Sequence, residues 1–269
     1  MIGIFDSGVG GLTVLDAIRA QLPHEDLVYL GDTARVPYGN RTPQTIVRYA
    51  TSCARQLVKR DVKAIVIACN TASAHALNAL NEAFDIPVFG VIEPAAQMAM
   101  QMTQKGSIGI IGTRATIASR AYEHAILRSA PDMKVCGHAC PLFVPLVEEA
   151  WSKTDVARLV VKQYLSELIA KAGSDVPDTL ILGCTHYPVL KPMISEVLSV
   201  LGVEMKLCDC AQATASYLAH ELSNRHLLDT KTASGTVEYL VTDDPDQFAE
   251  VGRSFMAEAP QLVRHIDIV

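Results

Sequence analysis

Short apolar runs that stop at a polar side chain recur along this chain, and each is followed by a segment with helical spacing. Residues 2–5, 27–30, 64–68, 87–91, 107–111, 179–183, 204–208 and 236–241 read as strands. Most are apolar at consecutive positions rather than at every second one. A strand of that kind is buried on both faces, as in a parallel sheet. The segment from Gly11 to Gln21 spaces its apolar residues (Leu12, Leu15, Ile18) for a helix, and Thr42 to Lys59 carries Pro43 where a first turn tolerates it. Residues 71–84 are rich in alanine, a good helix former. Helices are also expected over 93–104, 114–128, 154–172, 188–200 and 210–223, and after Asp243 or Asp244 with Pro245 in its first turn. The alternation predicts an α/β fold with parallel-type sheets flanked by helices.

An internal echo divides the chain. Ile2-Gly3-Ile4-Phe5-Asp6-Ser7 resembles Ile108-Gly109-Ile110-Ile111-Gly112-Thr113, an offset of 108 − 2 = 106. Cys69-Asn70-Thr71 and Cys184-Thr185-His186 repeat at 184 − 69 = 115. Two similar domains are expected, one from 1–92 plus 208–269 and the other from 93–207, with a ligand cleft between them.

Totals narrow the function. The 269 residues are 49% hydrophobic and 19% charged, enough for substantial cores and unlike a disordered chain. A formal charge of −6 without a basic run disfavours nucleic acid as a partner. No apolar stretch approaches the roughly 18 residues of a membrane span, so no membrane partner is expected. The N-terminus reads directly as a strand and lacks the order of a signal peptide, which points to a soluble, cytoplasmic protein. Seven cysteines make an odd number for a disulfide framework. Cys53, Cys136, Cys208 and Cys210 read as small buried hydrophobes.

Cys69 and Cys184 are different. Each stands at the exit of a buried-strand pattern, where open α/β sheets bind ligands. Cys69 precedes a helix, whose N-terminus favours a thiolate, although Asn70 or Thr71 could serve simply as its cap. A free cysteine is only about 3% thiolate at pH 7, so such activation matters. Cys184 has the imidazole of His186 two residues on, able to exchange protons with it. Asp6-Ser7-Gly8-Val9-Gly10-Gly11 is a glycine-rich turn that lacks the dinucleotide spacing. Asp6 either caps the next helix or adjusts the ionisation of a neighbour. Asp32-Thr33-Ala34-Arg35-Val36-Pro37-Tyr38-Gly39 is a polar loop, either a plain connection or a grip on one end of a substrate, with the Tyr38 hydroxyl on offer. Cys136-Gly137-His138-Ala139-Cys140 would align three metal-ligand types on one strand face, but a fourth ligand is missing and the spacing is not that of a zinc finger; no metal is expected. Glu148 and Glu149 close an apolar segment, facing either a cleft or solvent.

Together, Asp6-to-Leu12, Asp32-to-Gly39, Ala68-to-Ala72, Pro145-to-Glu149 and Leu182-to-Pro188 resemble the glutamate racemase family, in order from residue 2 to about 210. Ala150 stands where the family pattern has glycine. The resemblance implies interconversion of L- and D-glutamate without a cofactor, supplying D-glutamate for bacterial peptidoglycan. It implies that Cys69 takes the α-proton from D-glutamate and Cys184 from L-glutamate, with Asp6 supporting Cys69 and His186 and Glu148 supporting Cys184. Asp6, Ser7, Tyr38, Gly39, Asn70, Thr71, Thr185 and His186 match substrate-binding positions, with Thr113 and Thr116 as weaker candidates. A homodimer is a further suggestion of the resemblance. Few of these positions are basic, so hydroxyls and backbone N–H groups are expected to hold the substrate carboxylates, leaving the α-ammonium as the activating charge. Three rivals are an aspartate racemase of the same two-thiol logic, a thiol hydrolase using Cys184 and His186, and a two-lobed amino-acid-binding module.

Overall fold

The computed structural model describes residues 1–256 and 258–268. Every strand ladder among them is parallel, as the doubly buried apolar runs require. The chain divides into two compact units, Met1–Val91 with Ala211–Val269, and Ile92–Cys210.

The first unit begins β1 (Ile2–Asp6), α1 (Leu12–Gln21), β2 (Leu27–Gly31), α2 (Pro43–Val58), β3 (Ala64–Ile67), α3 (Asn70–Ala83) and β4 (Val88–Gly90). The second contains α4 (Ile92–Met102), β5 (Ser107–Gly112), α5 (Arg114–Ser119), α6 (Ala121–Ser129), β6 (Lys134–Ala139), α7 (Phe143–Glu148), α8 (Asp155–Ala172), β7 (Thr179–Gly183), α9 (Lys191–Val200) and β8 (Lys206–Asp209). The chain then returns to the first unit through α10 (Cys210–Asn224), β9 (Val237–Val241), α11 (Pro245–Gly252) and β10 (Arg264–His265). The return comes at residue 211 rather than 208, because Cys208 and Asp209 are still paired with β7 in β8.

The first sheet has the order β10-β9-β2-β1-β3-β4 and the second β6-β5-β7-β8. Adding four to each strand number of β2-β1-β3-β4 reproduces the second sheet. The echo seen in residues 2–7 and 108–113 is thus the lead strand of each unit, β1 paired to β3 and β5 paired to β7. Strand alternation fills both faces. Phe5, Leu30, Ile65 and Ile67 share a cluster with Ile46 and Leu57 of α2 and Leu80 of α3. Ile4, Tyr29 and Val66, one position out of step, are equally buried; there Tyr29 meets Phe248 with ring centroids 5.8 Å apart. Each fully buried aliphatic side chain contributes roughly 1.5–3 kcal/mol.

Some local departures have clear causes. The helix expected over 114–128 is broken at Arg120, which is left-handed at φ 54°. There the Ser119 hydroxyl accepts the Ala121 N–H, and the Arg120 guanidinium clasps Glu123 with two bonds of 2.6 Å. A 3₁₀ turn over Tyr187–Leu190 precedes α9. Strand β6 and helix α7 had no regular pattern to announce them; β6 is an edge strand with only partial burial along most of its length.

Helix α7 ends in a Schellman motif. The Trp151 N–H reaches the Leu146 carbonyl at 2.8 Å and the Ala150 N–H the Val147 carbonyl at 3.0 Å. Ala150 itself sits at φ 58°, a conformation that favours glycine. Ala150→Gly should therefore raise the unfolding free energy by roughly 0.5–1 kcal/mol, the left-handed penalty less the extra chain entropy of glycine. A urea midpoint that falls instead would show that Ala150 carries no strain.

Candidate active site

In the first unit the polar groups collect where β1, β2 and β3 end. The backbone ladder runs on past the strands, with the Asp32 N–H on the Asp6 carbonyl at 3.0 Å and the Ala68 N–H on the Phe5 carbonyl at 2.8 Å. Asp6 is buried, and its Oδ2 accepts the Gly8 N–H at 2.9 Å. It closes this turn, and the N-cap position of α1 is Gly11. A Cβ on Gly11 would stand 2.5 Å from that of Asp6, so only glycine fits. From beneath, the Tyr29 hydroxyl donates to the Gly8 carbonyl at 2.8 Å. Burial, with the charges of Asp6 and Cys69, holds that phenol well above its ordinary pKa and keeps it a donor.

Cys69 is the N-cap of α3, a role for which the sequence offered Asn70 or Thr71. Its Sγ accepts the Ala72 N–H at 3.4 Å and lies 3.6 Å from the Ser7 hydroxyl. The first turn of a helix favours negative charge there by typically about 0.3–1 kcal/mol. Asn70 and Thr71 follow it into α3 and are buried.

The loop after β2 differs from expectation at Tyr38. Its ring is buried and its hydroxyl donates to the Asp32 carboxylate, so the hydroxyl is already committed. What residues 38 and 39 can present to a ligand is backbone. Arg35 is engaged too, with Nε 2.9 Å from Asp32 Oδ1 and its guanidinium over the Tyr49 ring.

In the second unit Cys184 directly follows β7 and is buried. Its Sγ lies 3.9 Å from His186 Nδ1, and His186 Nε2 lies 2.9 Å from Glu148 Oε1 at the last residue of α7. Burial works against charge on this imidazole, but its hydrogen bonds to Cys184 and Glu148 outweigh it and raise the pKa to about 10. The shift favours the imidazolium form of the ring. It sits between a thiol sulfur and a carboxylate, a positive charge on which a thiolate can rest. Thr185 Oγ1 is 3.4 Å from the same Nδ1. At the end of β5, Thr113 caps α5 and shares a 3.0 Å hydrogen bond with Thr116.

The remaining cysteines behave as packing. Burial pushes the thiols of Cys53, Cys136, Cys140, Cys208 and Cys210 up. Among the described residues no three His, Cys, Asp or Glu side chains gather in a way that could hold a metal ion. His138 faces Glu167 at 3.0 Å instead. Sequence reasoning missed two supports, Tyr29 and the Asp32 carboxylate. A tyrosine within an apolar strand and an aspartate at a strand exit are the only signals the chain gives of them.

Thus the structure brings Asp6, Ser7 and Cys69 together in one unit and Glu148, Cys184, Thr185 and His186 in the other. Known proteins match this chain over nearly its whole length. Residues 8–218 match the family model described as Asp/Glu/Hydantoin racemase. The glutamate racemase of Geobacter metallireducens is 52% identical over 255 residues, 95% of this chain and 92% of that protein. A crystal structure of a glutamate racemase isoform from Bacillus anthracis superposes with a TM-score of 0.92 at 38% identity, covering 99% of this chain and 97% of the other. That of Francisella tularensis glutamate racemase in complex with D-glutamate gives 0.89 at 37% identity, with the same coverage.

The His186 geometry sets a pH dependence. Its folded pKa lies above the ordinary value of 6.5, so the stabilisation it brings is complete below that value and is lost as pH rises through about 10. Glu148→Gln removes a partly exposed charge and should lower the imidazole midpoint by roughly one pH unit. NMR titration of the ring would follow it; an unmoved midpoint would show that solvent screens Glu148.

Proposed function

The chain belongs to the Asp/Glu/Hydantoin racemase family, and we propose that it interconverts L- and D-glutamate by a two-thiol mechanism. The observation that carries this reading is the pair of cysteines at the exits of equivalent strands, Cys69 after β3 and Cys184 after β7, each beside positive electrostatics. Racemisation removes the α-proton from one face and returns a proton to the other, so two acid/base groups acting on one Cα are sufficient.

Cys69 would take the proton from D-glutamate, eased by the start of α3 and by Asp6. Cys184 would take it from L-glutamate, with the His186 imidazolium and Glu148 in support. In each direction the other cysteine, as thiol, delivers a proton to the opposite face, leaving its sulfur as thiolate. Ser7, Asn70, Thr71 and Thr185, with the backbone of Tyr38 and Gly39, would hold the substrate, and Thr113 and Thr116 would support that set. The engagement of Arg35 by Asp32 favours carboxylate binding through hydroxyls and N–H groups, with the α-ammonium left as the activating charge on the substrate. On this reading the product D-glutamate supplies peptidoglycan synthesis in the cytoplasm. Assembly as a homodimer belongs to the same proposal, and light scattering that finds only monomer would end it.

Glutamate enantiomers are equally stable, so kcat/KM must be equal in the two directions for any variant. Loss of either thiol should therefore depress both directions together. In D₂O, the protein should erase the α-proton signal of L-glutamate and its optical rotation, leaving L-aspartate unchanged. Cys69→Ser and Cys184→Ser should each lower turnover by about 10²–10⁴-fold. Turnover retained in Cys69→Ser would favour a thiol hydrolase at Cys184 and His186, and exchange of aspartate would keep the mechanism but change the substrate.

A further inference from the structure

The Asp32 carboxylate has no exposed surface, although it lies at the exit of β2. Three side-chain donors reach it. Tyr38 and Arg35 come from its own loop. The third is Thr242, the residue after β9, whose hydroxyl donates to Oδ1 at 3.0 Å. The same Thr242 oxygen accepts the Ala34 N–H at 2.9 Å. Beside it, Thr33 and Asp243 exchange a second pair, hydroxyl to carbonyl at 2.7 Å and N–H to hydroxyl at 2.8 Å. Residue 242 lies beyond the span that matches the racemase family model. A segment outside that match thus clamps a loop inside it.

The clamp has a mechanical reason. Ala34, Val36 and Pro37 are exposed and give the loop little core of its own. Its firm point is Tyr38, whose ring is buried 5.7 Å from that of Tyr49 and whose hydroxyl is set by Asp32. A buried carboxylate deprived of a donor turns toward other partners or draws in water. The Tyr38 hydroxyl moves with it, and the backbone of Tyr38 and Gly39 follows. A shift of about an ångström in a binding group is costly to substrate positioning.

We propose that Thr242 is a positioning residue for the substrate: through Asp32, its hydroxyl holds the Tyr38–Gly39 backbone in the geometry that receives glutamate. The inference rests on the glutamate racemase reading and adds to it a residue from the C-terminal segment. Thr242 touches no reacting atom. Its loss weakens binding of both enantiomers equally and leaves the chemical step intact.

The test compares Thr242→Val, which keeps the shape and removes the hydroxyl, with Thr242→Ser, which keeps the hydroxyl. Thr242→Val should raise KM for L- and D-glutamate alike by roughly three- to ten-fold, about the worth of one hydrogen bond, with kcat nearly unchanged. It should also speed amide hydrogen exchange over residues 32–40. Thr242→Ser should restore both. An unchanged KM in Thr242→Val, a fall in kcat alone, or no rescue by serine would each overturn the inference. Should the valine variant prove too unstable to assay, Tyr38→Phe removes another hydroxyl from the same carboxylate, and an unchanged KM there would overturn it as well. A wild-type protein inert toward glutamate sinks the functional reading itself. A racemising wild type with a normal Thr242→Val variant sinks only the role of Thr242.

Discussion

Parallel strand pairing is the constraint on which the rest depends. A parallel strand buried on both faces can hold almost nothing polar along its length, so its chemistry is displaced to its end. In the second unit the lead strand β5 and its neighbour β7 end level, at Gly112 and Gly183, and in the first β1 ends one residue past the last partner of β3, the pair Phe5 and Ile67. Cys69 and Cys184 leave the sheet from those neighbours, one at a helix start and one before a 3₁₀ turn. The polar groups around them are supported by backbone bonds that prolong the ladders, such as Asp32 to Asp6 and Cys140 to Gly112.

The two thiols have different electrostatic support. Cys69 draws on the N–H groups of α3, which carry no titratable charge and so do not change with pH. Cys184 lies beside a histidine that Cys184 and Glu148 together push toward its charged form, a chain of three ionisable groups. A helix dipole is worth less than a charged partner but cannot be lost by deprotonation. The two halves therefore share a topology without sharing a device.

Much of the fold is legible in the amino-acid sequence, for physical reasons. The apolar runs at 64–67 and 179–183 suit strands buried on both faces, and the echo of 2–7 in 108–113 marks the lead strand of each unit. Less legible are features set by local geometry. Arg120 breaks a helix that its apolar spacing would continue, because a serine and a glutamate hold it in a left-handed turn. Cys69 serves as a helix cap, since sulfur can accept an N–H that the more usual Asn70 or Thr71 would be expected to take. The Tyr38 hydroxyl, which the loop composition offers as an open binding group, is occupied.

Fold class, the positions of most strands and the two candidate thiols were determined by sequence alone, because they follow from the period of burial and from which residue ends each run. Which distant groups meet at the site was decided only by the tertiary structure. Glu148 meets His186 across 38 residues, and Thr242 meets Asp32 across 210. Hydrogen bonds between side chains leave no periodicity in the chain. Their partners are chosen by where the strand ends fall once β9 has returned beside β2 and α7 has closed on its own C-terminal turn.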